Sequence, residues 1–327
     1  MAIGVPGDYT NYDEQFHSGI LDALAENINV FNAASAGAIT LSPGVHMGQY
    51  NKSTEFDRIT DLVTRQDLTS SSAVTDINQE DSENIGVKIN AKIGPTAVAK
   101  NNFKMQGKDP ALFSFLVGQQ AGEDIAKYML NYATAALVSA LGDQTDLQYD
   151  ATGQTIKTLT QRHLVKGMQK RGDQAGEIAA FLGHSLPFFD MMGSQIDIAT
   201  DNAAGAVINQ GTVGTLGKPF IVTDNSYLIN TTPSPYQYRT FGLVPGAARV
   251  EISSPLEVVV DPRVTGREQL VIRYQGEWSF TLWIKGCAWD TSTGGANPLI
   301  ATVATSGNWD KYVSSVKAMA GVMVITE

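Results

Sequence analysis

The chain has 327 residues, with Lys+Arg 23 against Asp+Glu 33 and a formal net charge of −10. Charged residues make up 17% of it, against about 25% in an average soluble protein, which points to surface hidden against partners. The acidic balance excludes a nucleic-acid grip built on clustered Lys and Arg, and the single cysteine, Cys287, excludes an internal disulfide or a thiolate zinc site.

At the start of the chain, Tyr12, Phe16, Ile20, Leu24 and Ile28 recur every fourth residue. Leu21 and Phe31 widen the stripe, and Asp13, Glu14, Asp22 and Glu26 fall outside it. This spacing predicts an amphipathic helix, followed by a small-residue connector over 33–38. The stripe must be buried, either on the chain's own core or on a neighbouring subunit. The second possibility makes Phe16, Ile20 and Leu24 candidate interface residues. The opening residues lack the basic and apolar regions of a secretory signal, and Ala2 stands where myristoylation needs glycine. No stretch reaches the roughly 18 apolar residues of a membrane span. A reducing cytosol is the expected folding compartment.

Residues 68–84 are polar, and then Val87, Ile89 and Ala91 alternate with Lys88, Asn90 and Lys92, the period-two pattern of a strand. Gly94-Pro95 interrupts the pattern and Thr96 to Lys104 resembles a second strand. A two-stranded hairpin arm is predicted, with Lys88, Lys92, Lys100 and Lys104 opposite its apolar face. A lone hairpin is marginal in water and needs a partner surface. Its lysines either guard a strand edge against mispairing or face acidic patches on a neighbour, which would make assembly salt-sensitive.

Asp109-Pro110 is a strong helix start, a capping carboxylate before Pro at the first helical position. Apolar residues then run from Leu112 to Leu141 and stop at Gly142. Roughly thirty residues at about 1.5 Å each give a helix of about 45 Å, with Gly118 and Gly122 as points of bending. Thr155 to Arg171 reads as a shorter helix whose basic end suits the helix dipole, and 174–196 as a helix followed by a loop around Pro187. Strands are predicted at 220–223, 256–260, 269–274 and 278–283. No repeat of fixed period is visible, and the fold class is α+β.

A search for catalytic patterns finds little. No Gly-x-Ser-x-Gly elbow occurs. His184-Ser185 places a base beside a hydroxyl, the basis for an alternative reading as a hydrolase. His17, His46, His163 and His184 form no His-x-x-x-His pair, so no metal is implied. The glycine-rich run Gly211 to Lys218 has Thr212 where a phosphate loop needs its first glycine and Pro219 where it needs Ser or Thr. It reads instead as a hairpin loop. No cofactor is implied and no enzyme activity is expected.

The order of parts resembles a tailed-bacteriophage major capsid protein of the Hong-Kong-97-type fold: amphipathic arm, polar hairpin, Asp109-Pro110 helix, helical middle and β-rich end. Several motifs carry the likeness. Gly172-Asp173 precedes Ile178-Ala179-Ala180 and His184-Ser185. Leu216-Gly217-Lys218-Pro219 leads into Phe220 to Asp224. The segment from Phe280 to Trp289 is followed by Asn297-Pro298, Asn308-Trp309 and Lys317 to Val324. The resemblance implies an N-terminal arm over 1–53, an E-loop over 54–108, a peripheral domain with its spine helix over 109–149, an axial domain over 150–250 and a return to the peripheral domain over 251–327. It further implies self-assembly into hexamers and pentamers of an icosahedral shell in the host bacterial cytoplasm, around DNA held without sequence-specific binding, and no membrane. A portal and a decoration protein are further expected partners. A helix so close to Met1 leaves no room for a long scaffolding segment, so a separate scaffolding protein is expected. The rival within the same fold is an encapsulin-like compartment shell, and a tail or baseplate component is a third reading.

Overall fold

A computed structural model describes residues 7–44, 48–56, 63, 65–73, 76, 81–99, 110–201, 216–261 and 271–327. Its first element is the expected amphipathic helix, α1 (Gly7–Ala34), and strand β1 (Ile39–Pro43) follows after a short turn. Strand β2 (Tyr50–Phe56) pairs antiparallel with the start of β3 (Asp81–Ala99). The predicted turn at Gly94-Pro95 is absent. β3 runs through it, and the ladder slips by one residue where Tyr274 and Gly276 of the neighbouring strand face Thr96 and Ile93. Bulges and turns can both use a residue at positive φ, and Gly94 supplies one at φ 71°. The hairpin partner is therefore β2, upstream, and not 96–104; residues 100–109 lie outside the described residues.

Helix α2 (Pro110–Gly142) spans 33 residues without a break, about 50 Å at 1.5 Å per residue. Its glycines do not interrupt it. They mark where α1 crosses it: a Cβ on Gly118 would lie 2.3 Å from the Phe16 carbonyl oxygen and one on Gly122 2.8 Å from that of Ile20. Gly19 makes the reciprocal approach, 2.5 Å from the Phe115 oxygen. Beyond the crossing, residues 132–141 are buried all round, because α2 passes against strands of both sheets of the molecule.

The first sheet has seven strands. β9 (Ala248–Asp261) and β10 (Val271–Ile284) form its central antiparallel pair. β1 lies parallel beside β9, and β10 is flanked on its other side by β3 and, beyond Ile284, by β11 (Cys287–Trp289) and then β12 (Trp309–Lys311). In β10, residues 271–277 alternate buried and exposed while 278–284 are wholly buried. The outer half thus has one wet face and the inner half has none. Phe16 packs tilted on Tyr274, and Tyr128 and Tyr132 pack edge-on against Trp278 and Phe280 of this strand; the Ser114 hydroxyl meets the Tyr274 hydroxyl at 2.8 Å.

The second sheet has six strands, ordered β4-β13-β8-β5-β6 with β7 beside β8. They are β4 (Gln148–Asp150), β5 (Ala180–Gly183), β6 (Phe220–Val222), β7 (Ile229–Asn230), β8 (Gln237–Leu243) and β13 (Gly321–Thr326). β13 lies between β4 and β8, so 321–326 belongs with the sheet of 148–243. The expected return of 251–327 to the first region therefore does not hold for this last strand. Two helices lie on one face of the second sheet. α3 (Gln161–Gln169) is shorter than expected and starts after Thr160, leaving Ile156 in an exposed loop. α4 (Ser185–Asp201) carries Pro187 in its first turn, where the missing amide costs nothing; the expected loop there is helix, and β5 replaces helix at 180–183. A last short helix, α5 (Ile300–Val303), precedes β12.

Arg171 binds this second region together. Fully buried, it donates from Nη1 to the Met319 carbonyl at 2.9 Å, from Nη2 to the Lys317 carbonyl, and pairs with Glu177 at 3.0 Å. The side chain expected to serve the dipole of its own helix instead fixes the chain entering β13.

Candidate subunit interface

The seven residues proposed from sequence as interface fall into three groups. Phe16, Ile20 and Leu24 lie in the chain's own core against α2 and β10. The helix crossing consumes their apolar surface, worth about 1.5–3 kcal/mol per large side chain, so none is offered to a neighbour. Lys88 reaches across β10 to the Ser254 hydroxyl at 3.2 Å. Lys92 is exposed and stands opposite Glu277 in the β3–β10 ladder, which continues past the bulge to Ala99. Lys100 and Lys104 lie outside the described residues.

The structure brings His184 and Ser185 into a cluster with Asp224, the last residue of the Phe220 to Asp224 motif, which sequence reasoning did not connect to them. His184 Nδ1 accepts the Leu186 amide at 3.2 Å, and Nε2 lies 3.6 Å from Asp224 Oδ1. The Ser185 hydroxyl, 3.5 Å from Nδ1, donates to Asp224, and this bond holds the Asp224 carboxyl below its usual range, with the nearby imidazole adding to the effect. A serine nucleophile must pass its proton to a free imidazole nitrogen. Here the Nδ1 lone pair is already engaged by the helix amide and the hydroxyl proton points to a carboxylate. The arrangement caps α4 and favours negative charge at its N-terminus.

Among the described residues no group of three His, Cys, Asp or Glu could hold a metal ion; His46 lies outside them, as do residues 211–215 of the glycine-rich loop. No helix among the described residues is long and apolar enough to cross a membrane. Cys287 is buried, and burial pushes its thiol up to about 12.

Exposed apolar side chains gather at both ends of the second sheet, where sequence patterning gave no signal. At the β6 end of the second sheet, Leu186, Phe189 and Val222 are exposed, Phe189 by 64%. At the β4 end, Ile156 and Val165 are exposed, Ile156 by 58%. A groove of about 1150 Å³ also runs between α2 and the outer half of the first sheet, with Lys92, Asp124, Glu257 and Glu277 in its lining.

The family model described as Gp13-like, major capsid protein 13-like, matches residues 8–323. The chain belongs to that family. It is a structural, shell-forming capsid subunit. No curated protein matches the sequence, whereas solved phage capsids share its architecture. The capsid asymmetric unit of cyanophage Pam1 superposes with a TM-score of 0.52 at 9% identity, covering 86% of this chain and 85% of that one. The head structure of Helicobacter pylori bacteriophage KHP40 gives 0.52 at 9% identity, covering 88% and 87%. The capsid of Ralstonia phage GP4 gives 0.50 at 8% identity, covering 88% and 87%. At such identities the likeness is one of fold, and that fold is the Hong-Kong-97 type. For a capsid subunit, the exposed apolar ends of the second sheet and the long β2–β3 ribbon are the surfaces that a monomer has no reason to keep bare.

Proposed function

We propose that this capsid subunit builds a closed icosahedral shell around the double-stranded DNA of a tailed phage, in a structural and non-catalytic role. The observation that carries this reading is the β2–β3 ribbon. Over residues 81–86, β3 has left β10 behind and its only strand partner is β2; Lys52 and Glu83 remain more than half exposed on it, while the Ser82 hydroxyl donates to the Tyr312 carbonyl at its base. Two strands projecting from a sheet are marginal unless another surface supports them, and in a shell that surface is the adjacent subunit. In this reading 54–108 is the E-loop and the first sheet with α2 is the peripheral domain. The second sheet, β13 included, is the axial domain around the five-fold and six-fold positions.

The acidic charge suits a wall that confines DNA without gripping it. A scaffolding protein, a portal and a decoration protein are the further partners of such a particle, which is assembled in the host cytoplasm and ends as the virion shell. Electron microscopy of the expressed full-length chain, with and without its phage's scaffolding protein, tests the proposal. Closed icosahedral particles support it, and a monomer at high concentration under both conditions overturns it. Dense DNA inside particles from infected cells separates a phage head from a compartment that encloses cargo protein.

A further inference from the structure

Helix α3 carries a row of cations that the fold does not use. Arg162, Lys166 and Lys170 follow one another at steps of four residues, the last as the helical C-cap residue, so they lie along one side of the helix. Arg162 and Lys170 are exposed and Lys166 is half-buried, with the exposed Val165 between them. Arg162 stands in the first turn, where the helix dipole disfavours a cation. That turn contains no acidic residue, and Thr160 gives it no side-chain cap, so Arg162 works against its own helix.

The other charges around α3 have partners inside the chain. Lys157 on the preceding loop pairs with Glu327 beyond β13 at 2.7 Å, Arg171 pairs with Glu177, and Lys317 with Asp173. Arg239 on β8 donates to the Tyr227 carbonyl, and Lys218 before β6 donates to the Ile178 carbonyl. Asp150 on β4 is exposed and accepts the Thr152 amide at 2.8 Å, while Asp146 sits on a turn packed against α2 and β13. Among the described residues, Arg162, Lys166 and Lys170 form no ion pair. One side of α3 therefore presents three cations beside the single carboxylate of Asp150, on a chain whose net charge is −10.

We propose that this side of α3 touches the phosphate backbone of the DNA enclosed by the shell. A contact that ignores sequence needs cations in a row and no reading of base edges. Two steps of four residues rise about 12 Å along a helix, and one DNA strand carries a charge about every 3.4 Å of its axis, so the row spans about three or four phosphates. Three such contacts steer DNA along the wall, and the acidic remainder of the chain keeps them from becoming a grip. An acidic patch on another protein would also neutralise the row, but it would do so whether or not DNA were present. The proposal rests on the reading of this chain as the shell of a DNA-filled head, and it adds which helix turns towards the DNA.

Amine footprinting of whole particles tests it without any variant. Lys166 and Lys170 should acylate slowly in DNA-filled heads and several-fold faster in the same heads once the DNA has been released. Amines that stay slow in both states lie against protein, and amines that are fast in both lie away from DNA. Either result overturns the contact and leaves the shell reading standing, whereas a wild-type chain that yields no DNA-filled particles overturns the shell reading itself. A second measurement follows binding of the full-length, unassembled subunit to a fluorescein-labelled duplex of random sequence. Arg162→Gln, Lys166→Gln and Lys170→Gln together are expected to make the fall of log K with log salt shallower by about 2.7, three phosphate contacts at about 0.9 each. Circular dichroism checks that the variant is folded. A folded triple variant with the wild-type slope, or a wild-type subunit that does not bind the duplex at low salt, overturns the proposal.

Discussion

Adding one methyl group at Gly118 should separate α1 from α2. A Cβ there would sit 2.3 Å from the Phe16 carbonyl oxygen, whereas ordinary contact begins at 3.4 Å, so the two backbones must part by about 1.1 Å along that line. Pivoting offers no escape, because Gly19 and Gly122 hold the same crossing at 2.5 and 2.8 Å. Overpacking a site that must move backbone costs about 1–3 kcal/mol. The better helix propensity of alanine returns up to about 1 kcal/mol. Gly118→Ala is therefore expected to lose about 1–2 kcal/mol, lowering the melting temperature of the unassembled subunit by several degrees. Gly193→Ala in α4 is the control: its Cβ would meet nothing within 4 Å, and it should gain about 0.5–1 kcal/mol from propensity alone. Thermal unfolding followed by circular dichroism reads both. A Gly118→Ala subunit as stable as the wild type would refute the crossing geometry.

Three further outcomes are expected. Arg171→Met leaves the Lys317 and Met319 carbonyls without their donor and should cost about 1–3 kcal/mol for each, measured by urea unfolding of the subunit; a loss below 1 kcal/mol would mean that the Arg171 bonds contribute little. Burial holds the His163 imidazole below its usual 6.5 despite the hydrogen bond at Thr158. The unfolded chain therefore takes up a proton that the folded chain resists, so this contribution to stability is complete above about pH 6.5 and shrinks as pH falls toward the folded value. His163→Gln should flatten the decline, and an unchanged slope would remove His163 as its source. With its thiol pushed up to about 12, Cys287 should resist alkylation at pH 8 in the native subunit and react on unfolding; rapid native labelling would contradict its burial.

The helix from Pro110 was legible because its signals are local: a capping residue, a proline in its favoured position and a closing glycine within one stretch of chain. The Gly94-Pro95 bulge was misread for the complementary reason. A turn and a bulge ask for the same residues, and only the partner strand, nearly two hundred residues downstream, decides between them. Gly118 and Gly122 gave the same difficulty, since nothing within α2 says that another helix lies against them. The stripe of Phe16, Ile20 and Leu24 was rightly seen as a face to be buried, but periodicity carries no information on whose surface buries it. Asp224 was marked as the end of a motif, but nothing signalled its contact with His184 and Ser185, because they lie about forty residues upstream and the three residues serve a helix end. Of the exposed side chains of the second sheet, Val165 and Val222 sit in elements of nine and three residues, too short for a periodic pattern to stand out, and Leu186 and Phe189 sit in a stretch that is apolar on several sides.

The position of β13 has a consequence for the timing of assembly. Its partners β4 and β8 are made long before it, yet they flank the space it fills, and Arg171 waits on the Lys317 and Met319 carbonyls. During synthesis the second lobe stays an incomplete sheet until residue 326 has left the ribosome. A chain stopped short of that point lacks an inner strand and not merely a tail. A prematurely ended subunit therefore lacks the strand that joins β4 to β8, and its second sheet cannot close.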